Sequence, residues 1–398
     1  MPESFESALE RMVAQDRMSR RRFVGRAGSA ALATTALSTL LAACGGAEGA
    51  NEEGARRTPA ANHPKTPLDT IVFSNWPLYI DKKVLRDFER EFDAELKYTE
   101  DINDNTEFFG KVRQPLEQGD PIGRDLVALT DWMAARWIRL GYTEPIDKRN
   151  VPNERNLTEN LLNVNFDRGR KSSLPWQSGM TAIGYNRKRV GEVKSLKQLF
   201  DPKHKGKVTM FGDARDSSGL VLLMDGKKPE DATIDDILGA IEKIDEQNRN
   251  GQIRRFTGND YTTDLEKGNV DLAMAYSGDM IQLKADNPEL DFVIPEDGAI
   301  LWSDNMMIPK GAKSPYGAEV FMNYVYEPEV AAKIAAFVNY VTPVKGTRDI
   351  LAKDDPELAE NPLVFPDSST LGRLSGYPNL TVEEERQMDE AFQAVVGA

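Results

Sequence analysis

A series of short clusters carries the chemistry legible in this chain, and each joins flat aromatic rings to carboxylates or hydroxyls. They are Trp76 with Tyr79; Thr130, Asp131 and Trp132; Asp213, Arg215 and Asp216; Tyr276 with Asp279; Trp302 with Asp304; and Tyr340 within Asn339-Tyr-Val-Thr-Pro343. Rings in the middle and acids at the ends suit a ligand that is apolar along its length and cationic at its termini. A cation over a ring face contributes about 0.5–2 kcal/mol once water is excluded. A hydrogen bond from an ammonium to a carboxylate adds about 1.5–3 kcal/mol. Two acids and three or four rings therefore reach micromolar affinity, about −8 kcal/mol, after the costs of association.

Other chemistry competes for some of the same residues. Asp213 and Asp216 could act as the acid and base of an exported glycosidase or lyase. They fit equally well a helix N-terminus with an ordinary ion pair to Arg215. Trp137 reads as core. Asp101, Asp104 and Glu107 resemble a loose calcium loop that lacks the full ligand spacing and the glycine, so no metal is expected.

The elements that must position these residues alternate. Ile71-Val-Phe73 reads as a buried strand, followed by a helix capped at Asp81 with Val84, Leu85, Phe88 and Phe92 on one face. Further strands are expected at 95–99, 125–129, 181–185, 208–211, 270–276 and 290–294. Helices are expected around 106–117, 132–140, 234–244, 316–326 and 328–338, and a last one begins at Thr381 with Glu384 completing a capping box. This rhythm predicts α/β architecture with mostly parallel strands, which places ligands at strand ends. About 350 residues beyond an export segment predict two lobes rather than one core.

That export segment is Ser19-Arg-Arg-Arg-Phe23 followed by a small-residue run ending Leu41-Ala-Ala-Cys44. The pattern predicts a twin-arginine lipoprotein signal peptide over 1–43, with lipidation on Cys44 and an extracytoplasmic, membrane-tethered protein. The run is too short and too rich in Ala, Ser and Thr to span a bilayer. A Gly-, Glu- and Pro-rich tether over 44–67 follows. The chain of 398 residues carries a net charge of −14, and loss of 1–43, with six arginines against four acids, takes it to −16. Such a field disfavours nucleic acid and attracts cations. Cys44 is the only cysteine, and His63 and His204 are the only histidines. Internal disulfides, His/Cys zinc sites and Ser-His or Cys-His catalytic pairs are thereby set aside, and no cofactor is expected.

Seven segments, in order, resemble the spermidine/putrescine-binding proteins of bacterial polyamine ABC importers. They are Phe73-Ser-Asn-Trp-Pro-Leu-Tyr79, Asp125-Leu-Val-Ala-Leu-Thr130, Leu174-Pro-Trp-Gln-Ser-Gly-Met-Thr-Ala-Ile-Gly184, Asp213-Ala-Arg-Asp216, Leu301-Trp-Ser-Asp304, Met307-Ile-Pro309 and Asn339-Tyr-Val-Thr-Pro343. The resemblance implies a two-lobed periplasmic-binding-protein fold (type II), each lobe a mixed sheet flanked by helices, with a hinge between them. Lobe 1 would comprise 68–182 and 303–345, and lobe 2 would comprise 183–302 and 346–398. It also implies a monomer that is no enzyme, and that hands putrescine or spermidine to permease subunits. Its ligand-binding residues would be Trp76, Tyr79, Thr130, Trp132, Asp213, Asp216, Tyr276, Asp279, Trp302, Asp304 and Tyr340. Tyr276 stands where the family usually has Trp, and Asp131-Trp132 replaces a small residue and a Tyr, so the pocket's length and shape can differ. Acids of both the putrescine and spermidine types are present, and another organic cation or an amino acid remains a rival ligand. The segment after about Lys345 matches poorly, and no site residue is expected from it.

Overall fold

The computed structural model describes residues 61–378 and 380–397. The twin-arginine run, the rest of 1–43, Cys44 and the tether up to residue 60 lie outside the described residues.

Local sequence explains the first elements. Strand β1 (Thr70–Asn75) buries Ile71 and Phe73 completely, and helix α1 (Lys82–Phe92) starts where the Asp81 side chain accepts the Lys83 N–H. Val84, Leu85 and Phe88 form its buried stripe, as helical spacing requires. Strand β2 (Glu95–Glu100), α2 (Asn105–Gln118), β3 (Leu126–Thr130) and α3 (Asp131–Leu140) complete the first run. After the long β4 (Leu174–Asn186) come β5 (Val208–Phe211), α4 (Ala214–Met224), α5 (Ile234–Arg249) and β6 (Ile253–Thr257). Then follow α6 (Tyr261–Glu266), β7 (Leu272–Tyr276), α7 (Ser277–Asp286), β8 (Leu290–Val293) and β9 (Ala299–Met307). The chain closes with α8 (Pro315–Val325), α9 (Pro328–Val338), α10 (Thr347–Asp354), β10 (Leu374–Ser375) and α11 (Val382–Val396).

One mixed sheet runs β2-β1-β3-β9-β4-β7-β5-β6, with β10 added on β9 and β8 on β4. The outer pairs β1–β2, β1–β3, β5–β6 and β5–β7 are parallel, whereas β4 and β9 run antiparallel to their principal neighbours. Those two strands join the lobes. β4 pairs β9 through Leu174–Thr181 and then β7 through Thr181–Tyr185. β9 in turn pairs β3 through Asp304–Met307. Two separate cores flank this crossing: one around Phe73, Phe88, Trp137 and Phe321, the other around Met210, Leu220, Ile241 and Phe392. The fold is two-lobed, with a mixed sheet and helices on its faces, as expected.

The crossing strands are longer than the sequence predicts. The strand expected at 181–185 is the end of a thirteen-residue β4, and the strand carrying Trp302 and Asp304 was not expected at all. The assignment of 346–398 to the second lobe also needs correcting. Leu351 of α10 packs with Ala332 and Ala335 of α9, in the first lobe, together with Ala359. Within this stretch α11 returns to the second core, burying Met388 and Phe392. Finally, the end of the expected tether is bonded down. The His63 N–H donates to Asp147 at 3.1 Å, its Nδ1 lies 2.6 Å from the fully buried Glu319, and its carbonyl accepts Asn150 Nδ2 at 2.8 Å.

Candidate functional site

Where the two lobes meet, side chains from both line a narrow cavity. Trp76, Pro77 and Tyr79 reach it from beyond β1, and Thr130 from the end of β3. Trp302 and Asp304 project from β9, Asp216 from the first turn of α4, and Tyr276 and Asp279 from the β7–α7 junction. Tyr340 comes from the turn after α9, Asn259 from the loop after β6, and Tyr377 from the segment after β10.

The rings meet at steep angles, two pairs edge to face and one tilted at 57°. Tyr79 and Tyr340 lie 5.3 Å apart at 83°, Trp302 and Tyr276 5.3 Å apart at 76°, and Trp302 and Tyr340 5.4 Å apart. Such pairs hold one another's orientation beyond what burial alone achieves. Gly278 makes room for this arrangement, because a Cβ there would lie 2.5 Å from the Tyr340 ring. Behind the wall, Phe211 stacks on Tyr276 at 4.5 Å.

Three carboxylates face the cavity, and none of its lining side chains is basic. Asp304 accepts the Tyr79 hydroxyl at 2.9 Å and the Thr130 hydroxyl at 2.8 Å. Burial pushes its carboxyl up to about 7, although both hydroxyls favour the charged form. Asp279 accepts the hydroxyls of Tyr340 at 2.7 Å and Tyr261 at 2.9 Å, and Asn259 Nδ2 at 3.1 Å. Burial pushes it up to about 6 against those donors. Asp216 accepts the Tyr377 hydroxyl at 3.1 Å, and burial together with the neighbouring Asp213 holds it well above the usual carboxylate range.

The lobes are shut over this site. The Tyr340 hydroxyl of the first lobe bonds Asp279 of the second, and the Asn259 N–H donates to the Asn103 carbonyl at 3.1 Å. Gly258 permits that approach, since a Cβ on it would fall 2.2 Å from the same carbonyl oxygen.

Nine of the eleven expected site residues therefore line one cavity: Trp76, Tyr79, Thr130, Asp216, Tyr276, Asp279, Trp302, Asp304 and Tyr340. Trp132 and Asp213 do not. Asp213 caps α4, its side chain accepting the N–H groups of Arg215 and Asp216. Trp132 lies in the first turn of α3, its ring covered by the Arg215 guanidinium 4.2 Å from the centroid and by Arg136 at 5.2 Å. Pro77, Asn259 and Tyr377 were not expected. Asn259 follows a strand end that the sequence reading passed over, and Tyr377 sits in Gly376-Tyr-Pro378, a lone aromatic in a turn-forming stretch. The loose calcium loop has other employment: Asp104 caps α2 by accepting the Glu107 N–H at 2.9 Å, and Asp101 pairs with Arg124 at 2.7 Å. Trp137 is fully buried against Phe108.

The spermidine/putrescine-binding periplasmic protein of Salmonella typhimurium is 27% identical over 77% of this chain and 85% of its own length. The putrescine/cadaverine-binding protein of Pseudomonas aeruginosa is 27% identical over 83% of this chain and 94% of its own. Among solved structures, the spermidine/putrescine ABC transporter substrate-binding protein of Streptococcus pneumoniae superposes with a TM-score of 0.66 at 25% identity. It covers 82% of this chain and 98% of that one. A family model described as bacterial extracellular solute-binding protein matches residues 83–366. The chain belongs to the bacterial extracellular solute-binding proteins.

Proposed function

We propose that this protein captures a polyamine, putrescine or spermidine, between its lobes and presents it to the permease of an ABC importer. The observation that carries this reading is a cavity between the lobes whose three buried carboxylates have no basic side chain among them. Buried carboxylates left unpaired are costly, and two of these hold protons up to about 6 and about 7. A ligand that brings ammonium groups restores the charged forms and repays that cost. The hydroxyls bonded to Asp304 and Asp279 leave carboxylate lone pairs free for such groups, and the rings of Trp302, Trp76 and Tyr340 suit the methylenes between. Contacts from both lobes then stabilise the shut form.

The relatives' names point the same way, since they are described as binding spermidine, putrescine or cadaverine. Capture without bond-breaking also agrees with the fate of Asp213. Its carboxylate is committed to the backbone N–H groups of α4, which removes one member of the pair a glycosidase or lyase would need. The sequence pattern at 1–44 supports export and a lipid anchor on Cys44, and among the described residues no helix is long and apolar enough to cross a membrane.

A thermal-shift screen with putrescine, spermidine, agmatine and amino acids tests the reading, because a tight ligand raises the melting temperature. A rise with putrescine or spermidine alone supports it. A rise confined to amino acids, or turnover of a sugar by the purified protein, overturns it.

A further inference from the structure

Outside the cavity, a second set of contacts ties the lobes together, and most of it comes from a segment beyond the family match that ends at residue 366. Glu385, on α11, is its hub. One carboxylate oxygen accepts Arg215 Nη2 at 2.6 Å and lies 3.0 Å from Arg136 Nη2; the other accepts Arg139 Nη2 at 2.5 Å. Asp389, one turn on, accepts Arg136 Nη2 at 2.6 Å. Arg136 and Arg139 sit on α3, whose Trp132, Met133 and Trp137 belong to the first core, whereas Met388 and Phe392 of α11 belong to the second. The pairs made by Arg136 and Arg139 therefore cross the boundary between the lobes, while Arg215 anchors Glu385 within the second. Trp132 lies in the same junction, between guanidinium groups from either side.

The junction is dry enough to matter. Arg136 is 9% exposed and Glu385 6% exposed, so their pairing across the lobes is screened less than that of surface ions. It is also wired to the cavity. Arg215 and Asp216 are consecutive in the first turn of α4, one bonded to Glu385 and the other to Tyr377, and Tyr377 lies on the segment that leads into α11.

We infer that α11 is a clasp: Glu385 and Asp389 hold the lobes closed before any ligand arrives, and the clasp sets how tightly the cavity binds. A cavity whose competent, closed form is already populated loses little affinity to closure, and one that must be closed by the ligand loses more. Closure by this route requires no particular ligand; only its effect on affinity rests on the polyamine reading.

Energy transfer between dyes at two exposed positions, Lys111→Cys on the first lobe and Lys243→Cys on the second, reads closure directly in the full chain carrying Cys44→Ser. Without ligand, the protein with its clasp intact should show one high-transfer population. Glu385→Ala should add a low-transfer population, and Arg139→Gln, on a partly exposed side chain, a smaller one. Spermidine affinity should then fall about tenfold in Glu385→Ala as the closed fraction falls to about a tenth. Circular dichroism establishes that each variant is folded. If folded Glu385→Ala and Arg139→Gln both keep the parent's transfer distribution, the clasp is refuted, whatever spermidine does. If the distribution shifts while neither putrescine nor spermidine binds the parent, the clasp stands and the polyamine reading falls.

Discussion

Asp304, within β9, and Asp213, at the start of α4, are both buried aspartates, yet only one of them faces the cavity. Asp304 is held by two hydroxyls, from Tyr79 and Thr130. Hydroxyls can rotate, and each occupies a single lone pair, so the carboxylate keeps capacity for an incoming ammonium. Asp213 is held by the backbone N–H groups of Arg215 and Asp216, with the Arg215 charge beside it. Those donors are fixed by the helix and cannot be exchanged for a ligand. Residue type and burial do not separate the two aspartates. The donors around each one do.

The largest effect expected from this contrast is at Asp304. Asp304→Ala should weaken polyamine binding by about 10–100-fold, the equivalent of one charge-assisted hydrogen bond of about 1.5–3 kcal/mol. Calorimetry showing unchanged affinity would remove Asp304 from the site.

Proton linkage should follow. An ammonium ligand favours ionised Asp279 and Asp304, which hold protons up to about 6 and about 7. Affinity should therefore fall about tenfold or more between about pH 8 and about pH 5, with protons released on binding. The ligand-free fold should show the opposite trend in the share of stability these two acids carry. Their folded values lie above the unfolded ones, so that share is complete below about pH 4 and is lost as the pH rises through about 6 and about 7. Melting temperatures of the parent and Asp304→Asn across this range should diverge with that sign; parallel curves would contradict it.

Asp213→Ala reverses the pattern of Asp304→Ala. Loss of the α4 cap should cost about 0.5–2 kcal/mol in urea unfolding, with a much smaller change in ligand affinity. A large affinity loss at unchanged stability would return Asp213 to the cavity. Smallest of all, Tyr377→Phe deletes one hydrogen bond to Asp216 and should cost about 0.5–1.5 kcal/mol of binding. No change would show that Asp216 is oriented without it.

Much of this site was legible because strand ends in an α/β sheet collect ligand-facing residues, and Trp76, Tyr79, Thr130, Tyr276 and Asp279 follow such ends. What was missed has local physical causes. Trp132 also follows a strand, but α3 begins at Asp131 and turns each successive side chain by about 100°, which carries the ring to the Arg215 side. The first part of β4 was hidden by Pro175, Ser178 and Gly179, and β9 by Ser303-Asp-Asn305, residues of low strand preference that tertiary pairing overrides. Asn259 was lost with its unrecognised strand β6. Tyr377 lies in a segment without periodicity, so only the fold could bring it to Asp216. The α10 region was placed in the wrong lobe because the resemblance fades after about Lys345, and no helix was expected there whose apolar face could be matched to a core.

Calorimetric titration of spermidine and putrescine into the purified protein near pH 8 probes the proposed role of these buried acids most directly. Saturable one-to-one binding, micromolar or tighter and lost in Asp304→Ala, is the predicted result. Absence of binding by either amine, or equal affinity in the variant, would contradict it.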